Sequence, residues 1–222
     1  QEEDVYCRTD ISMHTEHYLR GANYPCSDVE PVVMVQHGVT IIRGSKANGY
    51  PFLEDIPPLI TLISVAVKRK IKRYDDQETG KSLYLNLSDK DDMQRRIRLM
   101  LLAAIKSGCT GLVLTPLGCG LDGHPPEEVA TMFKREIYRV GKGLPHLQFA
   151  AYDDPHKCAT EEIDKFSNYD VFRKILEKPE KDDPTWRSAK DEWTYSVMAS
   201  CNEDFPPEER LGDAGGSDST LE

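Results

Sequence analysis

Apolar residues recur along the chain with two different periods, and these periods predict helices that alternate with strands. Spacings of three and four residues predict helices over about residues 2–13, from about residue 88 to Gly108, from Pro126 onward and over about 160–178. Short runs of apolar and β-branched residues predict strands near 32–36, 40–43, 59–67, 111–116 and 147–152. A loop rich in glycine and proline fills 45–58, and a charged, mobile connection fills 68–88.

The apolar stripe is clearest in the helix that begins near residue 88. It consists of Met93, Ile97, Met100, Leu101, Ala104 and Ile105. Strands that alternate with helices of this length favour parallel pairing, with helices on both faces of the sheet. We therefore expect a three-layer α/β/α fold, in which ligands bind beyond the carboxyl ends of the strands.

The glycine loop, residues 117–125, lies between the strand predicted at 111–116 and the next helix. Its sequence is Leu-Gly-Cys-Gly-Leu-Asp-Gly-His-Pro. Glycines let backbone N–H groups turn towards a ligand, and a helix N-terminus adds positive potential, so this arrangement suits a diphosphate. Pro126 fits a first helical turn because the N–H that proline lacks would have no partner there. The other interpretation is a tight turn that only joins strand to helix.

The glycine loop lacks the motifs of two common nucleotide sites. The GK[ST] ending of nucleotide kinases is absent, and the spacing differs from the dinucleotide fingerprint. A Rossmann-like phosphotransferase or nucleotide binder is therefore disfavoured, the more so because the loop contains no lysine.

The charged residues are distributed unevenly over a chain of net charge −10. Residues 1–158 carry 20 Lys and Arg against 21 Asp and Glu, whereas residues 159–222 carry 8 against 17. The absence of a basic excess argues against a duplex nucleic acid partner. No apolar run reaches the roughly 18 residues of a membrane span, and the cysteines lack the spacing of zinc ligands. We expect an intracellular protein, cytoplasmic or nuclear and not secreted, without a metal or cofactor.

Glu2 and Glu3 are by themselves typical of a solvated helix N-terminus. They acquire another meaning from the order of segments: Gln1-Glu2-Glu3, then the runs at 32–35 and 37–43, then the glycine loop. This order resembles the microbial-type poly(ADP-ribose) glycohydrolases, macrodomain-fold enzymes whose signature is a glycine triplet followed by Gln-Glu-Glu. The resemblance covers residues 1–155, and its most specific parts are the Gly-Cys-Gly sequence and the helix before it.

The resemblance also implies a division of the chain. The glycine triplet would precede Gln1, so we expect residues 1–158 to be an N-terminally truncated, macrodomain-like domain with a mixed sheet and low activity. Residues 159–178 are expected to form a C-terminal helix. Residues 179–222 are expected to be an acidic tail whose last twenty residues are disordered. Trp186 and Trp193 in this tail are either a docking patch or the stripe of a short helix.

The resemblance implies two catalytic glutamates and a set of substrate contacts. Glu3 would protonate the leaving ribose oxygen and then activate water, while Glu2 would hold ribose hydroxyls. The substrate-binding residues would be Gln1, Gly118, Cys119, Gly120, Leu121, Asp122, Gly123 and Tyr152. Tyr152 either stacks on adenine or is a core or surface tyrosine. Asp122 replaces an aromatic residue of the family, and its charge is unfavourable beside a diphosphate unless it points away or meets a hydroxyl.

The expected activity is hydrolysis of ribose–ribose bonds in poly(ADP-ribose) to release ADP-ribose, by a monomer. The alternative is a non-catalytic ADP-ribose-binding module. Expected partners are poly(ADP-ribose) or an ADP-ribosylated protein, and free ADP-ribose. Residues 68–73, the basic segment, are either a solvated loop or a contact for the polymer. Replacing Gly120 with Val is expected to crowd the glycine loop and weaken ADP-ribose binding.

Overall fold

A computed structural model describes residues 2–13, 33–55, 57–140, 143–151, 167–177 and 194–199, with only the backbone given for 2–3 and 194–199. Its helices are α1 (Glu2–Arg8), α2 (Leu87–Lys106), α3 (Pro126–Val140) and α4 (Asn168–Leu176), with a 3-10 helix at Lys46–Asn48. Its strands are β1 (Val33–Thr40), β2 (Leu59–Val65), β3 (Arg73–Asp75), β4 (Ser82–Tyr84), β5 (Gly111–Leu114), β6 (His146–Ala151) and β7 (Thr194–Ala199).

The strands pair in both directions. β5, β6 and β7 form a parallel sheet in that order, while β1 pairs antiparallel with β2 and β3 with β4. Parallel pairing is therefore confirmed for β5 and β6 and wrong for β1 and β2. The connection from β1 to β2 holds only a 3-10 helix within its described residues, and parallel neighbours need a longer crossover. The mixed α/β class is confirmed.

The two strands predicted at 32–36 and 40–43 are one strand with an irregularity. The register of β1 against β2 shifts between Gln36 and Val39. Gly38 lies at this shift with a φ of +69°, a left-handed conformation that glycine adopts without steric cost. Because the interruption is a bulge, pairing with β2 continues on both sides of it.

The first helix is shorter than predicted, since α1 ends at Arg8 and not near Met13. The carbonyl of Arg8 accepts hydrogen bonds from the N–H groups of Ile42 (2.8 Å) and Arg43 (3.1 Å). The carboxylate of Asp10 accepts one from Thr40 N–H at 2.8 Å. The chain after α1 is therefore held by the end of β1, and this tertiary pairing interrupts the predicted helix at Thr9 and Asp10, after which residues 11–13 are helical again.

The charged connection predicted at 68–88 contains the β3–β4 hairpin. Tyr84 in β4 is buried, and its backbone N–H donates to the Glu128 carboxylate of α3 at 2.7 Å. Most of this hairpin faces solvent, so its strands are rich in polar residues and lack the apolar runs by which strands are predicted from sequence. The prediction of a mere connection between elements is therefore wrong, because the segment contains two paired strands, while its mobility stays a prediction.

The predicted helices α2 and α3 are confirmed, and they pack on each other. The stripe of α2 is buried as predicted, apart from the partly buried Ile105. Pro126 is the first residue of α3, as its missing N–H suggested. Phe133 of α3, Phe149 of β6 and Phe172 of α4 pack together, with ring centroids 5.1 to 6.2 Å apart.

The carboxyl-terminal part bears on two predictions. α4 spans Asn168–Leu176 within the helix predicted at about 160–178, and the side chain of Ser167 accepts a hydrogen bond from Asp170 N–H, while residues 160–166 lie outside the described residues. β7 lies within the predicted tail and pairs with β6 over six residues. The predictions for residues 14–32, Tyr152, Trp186, Trp193 and the last twenty residues lie outside the described residues.

None of the described helices is long and apolar enough to cross a membrane.

Candidate functional site

The glycine loop joins the end of β5 to the first turn of α3, at the carboxyl end of a parallel strand. Three backbone hydrogen bonds shape it: Cys119 N–H to Pro116 (3.2 Å), Gly123 N–H to Gly120 (3.2 Å) and His124 N–H to Gly118 (3.0 Å). The loop therefore has a defined conformation directly before a helix N-terminus, where backbone donors and the helix dipole favour an anion.

The tip of the glycine loop offers backbone donors. Within the described part of the chain, the N–H groups of Gly120, Leu121 and Asp122 make no backbone hydrogen bond. Gly120 and Leu121 are exposed, and Leu121 retains 88% of its accessible surface. Successive free N–H groups of this kind bind phosphate oxygens in many proteins.

Two of the three loop glycines are required by the backbone. Gly118 and Gly123 have φ angles of +72° and +81°. A Cβ on Gly118 would also lie 2.4 Å from Cδ2 of His124. A Cβ on Gly120 meets nothing within 4 Å, so Val at this position leaves the free loop uncrowded and would instead obstruct a ligand.

The side chain of His124 connects the glycine loop to two other segments by hydrogen bonds. Its Nε2 lies 2.9 Å from the carbonyl oxygen of Lys68, and its Nδ1 lies 2.8 Å from the hydroxyl of Tyr84. A carbonyl only accepts hydrogen bonds, so Nε2 carries the proton and Nδ1 accepts the Tyr84 hydroxyl proton. The imidazole is only 2% exposed.

Burial sets the charge state of this pair. Desolvation lowers the pKa of His124 below its ordinary value, more strongly than the Lys68 carbonyl raises it, so the ring is neutral at neutral pH. Burial also raises the pKa of Tyr84, which keeps its hydroxyl protonated as a donor. Sequence reasoning assigned no role to His124 or Tyr84, and the signal was weak: one histidine between a loop glycine and Pro125.

The basic segment lies directly against the glycine loop. The N–H of Ile71 donates to the carbonyl of Asp122 at 2.9 Å, and Lys68 accepts from His124 at 2.9 Å. The ammonium of Lys68 pairs with Asp89 at 3.0 Å. Arg69, Lys70 and Lys72 are exposed. The basic segment is therefore one wall of the candidate site.

Cys119 and Asp122 are engaged within the site. Cys119 is buried, and its thiol lies 3.6 Å from the carbonyl of Leu117. Asp122 uses its carbonyl to hold Ile71, and its carboxylate acts on His124 by raising the pKa of that ring against the effect of burial.

The predicted catalytic residues lie on another element. Glu2 and Glu3 open α1, whose backbone alone is described at these positions, while Gln1 and Tyr152 lie outside the described residues. The Asp4 carboxylate accepts from the Tyr50 hydroxyl at 2.9 Å. Among the described residues, the hydrogen bonds of α1 to other segments reach Ile42, Arg43 and Tyr50 and not the glycine loop. Proximity of the glutamates to the loop stays a prediction.

Solved structures of poly(ADP-ribose) glycohydrolases (PARGs) are similar to this chain. The PARG from Deinococcus radiodurans in complex with ADP-ribose matches with a TM-score of 0.56 and 21% identity, over 80% of this chain and 67% of that chain. The PARG from Thermomonospora curvata bound to the inhibitor ADP-HPD matches with a TM-score of 0.52 and 18% identity, over 78% of this chain and 61% of that chain. The fold is that of the microbial PARGs. No protein-family model and no curated protein matches the sequence.

This likeness confirms the macrodomain-like α/β/α fold expected from the sequence. The chain spans about two thirds of the Deinococcus enzyme. It spans 60% of the Thermomonospora enzyme in another solved structure of that protein. At such identities the shared property is the fold.

Proposed function

We propose that this protein binds ADP-ribose at the glycine loop and hydrolyses the ribose–ribose bonds of poly(ADP-ribose). The observation that carries the proposal is that the N–H groups of residues 120–122 make no backbone hydrogen bond among the described residues, in the loop that leads into α3. They suit a diphosphate, and the same fold binds ADP-ribose in the Deinococcus enzyme.

In the proposed mechanism Glu3 handles both proton transfers. Its carboxylic acid donates a proton to the leaving ribose oxygen as the glycosidic C–O bond breaks, and an oxocarbenium-like ion forms. The carboxylate then accepts a proton from the water that attacks this ion, which restores the acid. Glu2 and Gln1 would hold the ribose hydroxyls, and Tyr152 would stack on adenine. Such acid–base catalysis contributes roughly 10²- to 10⁴-fold.

The second candidate function is an ADP-ribose-binding module without hydrolysis. Asp122 favours it, because a carboxylate occupies the loop position where the enzymes of the resembled family have an aromatic residue. Binding through backbone N–H groups survives such a change better than catalysis, which needs reacting groups held within a fraction of an ångström.

Polymer turnover together with ADP-ribose calorimetry separates the two functions. Replacing Glu3 with Gln is expected to remove at least about nine tenths of the turnover, since an amide cannot exchange the proton, and to leave ADP-ribose affinity nearly unchanged. Glu2→Gln is expected to have a milder effect. Glu54→Gln changes the same charge at an exposed position and is the matched control.

Two results would contradict the assignment. Turnover by Glu3→Gln close to that of Glu54→Gln would exclude Glu3 as the acid. ADP-ribose binding without turnover, both by the unmodified chain and by a chain extended upstream through the expected glycine triplet, would favour the binding module. The monomeric state, the intracellular location and an ADP-ribosylated protein as partner stay predictions.

A further inference from the structure

Arg69 and Lys70 are two basic residues to which the described ion pairs assign no structural role. They lie between two tethers to the glycine loop, the hydrogen bonds at Lys68 O and Ile71 N. Both side chains are exposed, and within the described residues neither forms an ion pair. Two cations are thus held beside a predicted diphosphate site, and no ion pair with another described residue engages them.

The backbone at Lys70 is strained. Its φ is +55°, a left-handed conformation that disfavours side chains other than those of glycine, asparagine and aspartate. Such conformations persist only where surrounding structure enforces them, and they concentrate at ligand-binding sites. Here the two tethers enforce it. A glycine would relieve the strain, but the chain has a lysine.

We infer that Arg69 and Lys70 form a second phosphate subsite, which takes the diphosphate of a poly(ADP-ribose) unit adjacent to the unit held by the glycine loop. This inference rests on the proposed function. Arginine and lysine bind phosphate oxygens by charge-assisted hydrogen bonds, and exposed cations lose little solvation when they do so. The subsite distinguishes polymer from free ADP-ribose, which has a single diphosphate and fills the loop alone.

The test compares polymer with monomer in the Glu3→Gln background, which keeps the polymer intact. Arg69→Gln/Lys70→Gln is expected to weaken binding of labelled poly(ADP-ribose) by about five- to tenfold at about 50 mM salt and to leave ADP-ribose affinity unchanged. The plot of log affinity against log salt concentration should become less steep by about 1.4, because two phosphate contacts are lost and each contributes about 0.7 to the slope. Lys106→Gln/Arg135→Gln removes the same two charges from exposed positions on α2 and α3 and is the matched control.

A second variant separates structure from binding at the strained position. Lys70→Gly removes the charge and accepts the φ of +55° without strain, so its thermal stability should be unchanged or higher while polymer affinity falls. Lys70→Arg should retain polymer binding because the positive charge remains.

Several outcomes would overturn the inference. Equal losses for ADP-ribose and polymer would assign both cations to the diphosphate in the loop. Equal losses in the control would indicate only a general effect of net charge. A single-stranded oligonucleotide that binds as tightly as polymer, with the same loss, would indicate a nucleic acid surface. If the Glu3→Gln parent bound neither ADP-ribose nor polymer, the proposed function would fail, and the subsite with it.

Discussion

At the scale of single residues, Gly118 and Gly120 of the glycine loop differ in their tolerance for a side chain. Replacing Gly118 with Ala is expected to lower the free energy of unfolding by about 1–3 kcal/mol, because φ is +72° and the new Cβ would lie 2.4 Å from the His124 ring. Gly120→Ala has open space and is expected to change stability by less than about 0.5 kcal/mol. Urea unfolding of both variants measures this difference. Equal effects would mean that His124 does not pack on Gly118.

His124 provides a second prediction at this scale, through pH. Its pKa is lowered in the folded state by burial, so the unfolded chain binds the proton more readily. Its contribution to stability is therefore present above the unfolded pKa of about 6.5 and is lost as pH falls below that value towards the lower folded pKa. His124→Gln should flatten this part of the profile of unfolding free energy against pH.

The matched variant for His124 is Tyr84→Phe, which removes the donor to Nδ1 and keeps the ring. Loss of one hydrogen bond to a buried group costs about 1–3 kcal/mol, and the two substitutions should be less than additive because they share that bond. Additive effects, or an unchanged pH profile in His124→Gln, would contradict the described hydrogen bonds.

At the scale of elements, a buried carboxylate connects α2 to α3. Glu136 of α3 is fully buried and accepts hydrogen bonds from Arg98 (2.7 and 3.0 Å) and Gln94 (2.6 Å) of α2. Burial alone raises the pKa of Glu136, but the hydrogen bonds from Arg98 and Gln94 outweigh burial, and the pKa lies below its ordinary value. Its contribution to stability is thus lost as pH falls from about 4.5 through the folded pKa.

Replacing Arg98 alone should lower the free energy of unfolding more than replacing both Arg98 and Glu136. Arg98→Met leaves a buried charge with fewer partners and is expected to cost about 3 kcal/mol of unfolding free energy. The double variant Arg98→Met/Glu136→Leu should recover much of that loss, since apolar side chains pack between the helices without desolvating a charge. Chemical denaturation of the single and double variants tests this, and a double variant less stable than Arg98→Met would contradict it.

At the scale of the whole molecule, ligand binding should stabilise the folded chain. ADP-ribose at about 100 times its Kd is expected to raise the free energy of unfolding by about 2.7 kcal/mol. Gly120→Val should fold normally but obstruct the ligand, and a tenfold loss of affinity reduces that gain to about 1.4 kcal/mol or less. Thermal unfolding with and without ADP-ribose measures both. A gain of equal size in Gly120→Val would remove the loop tip from the site.

The parts of the fold that depend on near neighbours in the chain could be predicted from the amino-acid pattern. The stripe from Met93 to Ala104 predicted α2, the apolar run at 111–116 predicted β5, and Pro126 marked the start of α3. The glycine loop between them was located by the same local signals. A helical stripe depends on residues three or four apart, so its pattern is fully present in a short stretch of chain.

Features that depend on segments distant in sequence could not be predicted in this way and emerge from the folded chain. The antiparallel pairing of β1 with β2 and the hydrogen bonds that end α1 belong to this group. So do the buried charges of Arg96 and Glu136, which sequence alone would place on solvated helix faces. His124 reaches Tyr84 and Lys68, 40 and 56 residues away. The periodicity of apolar residues does not reveal such contacts, because the segment that packs against a residue determines its burial and its hydrogen bonds.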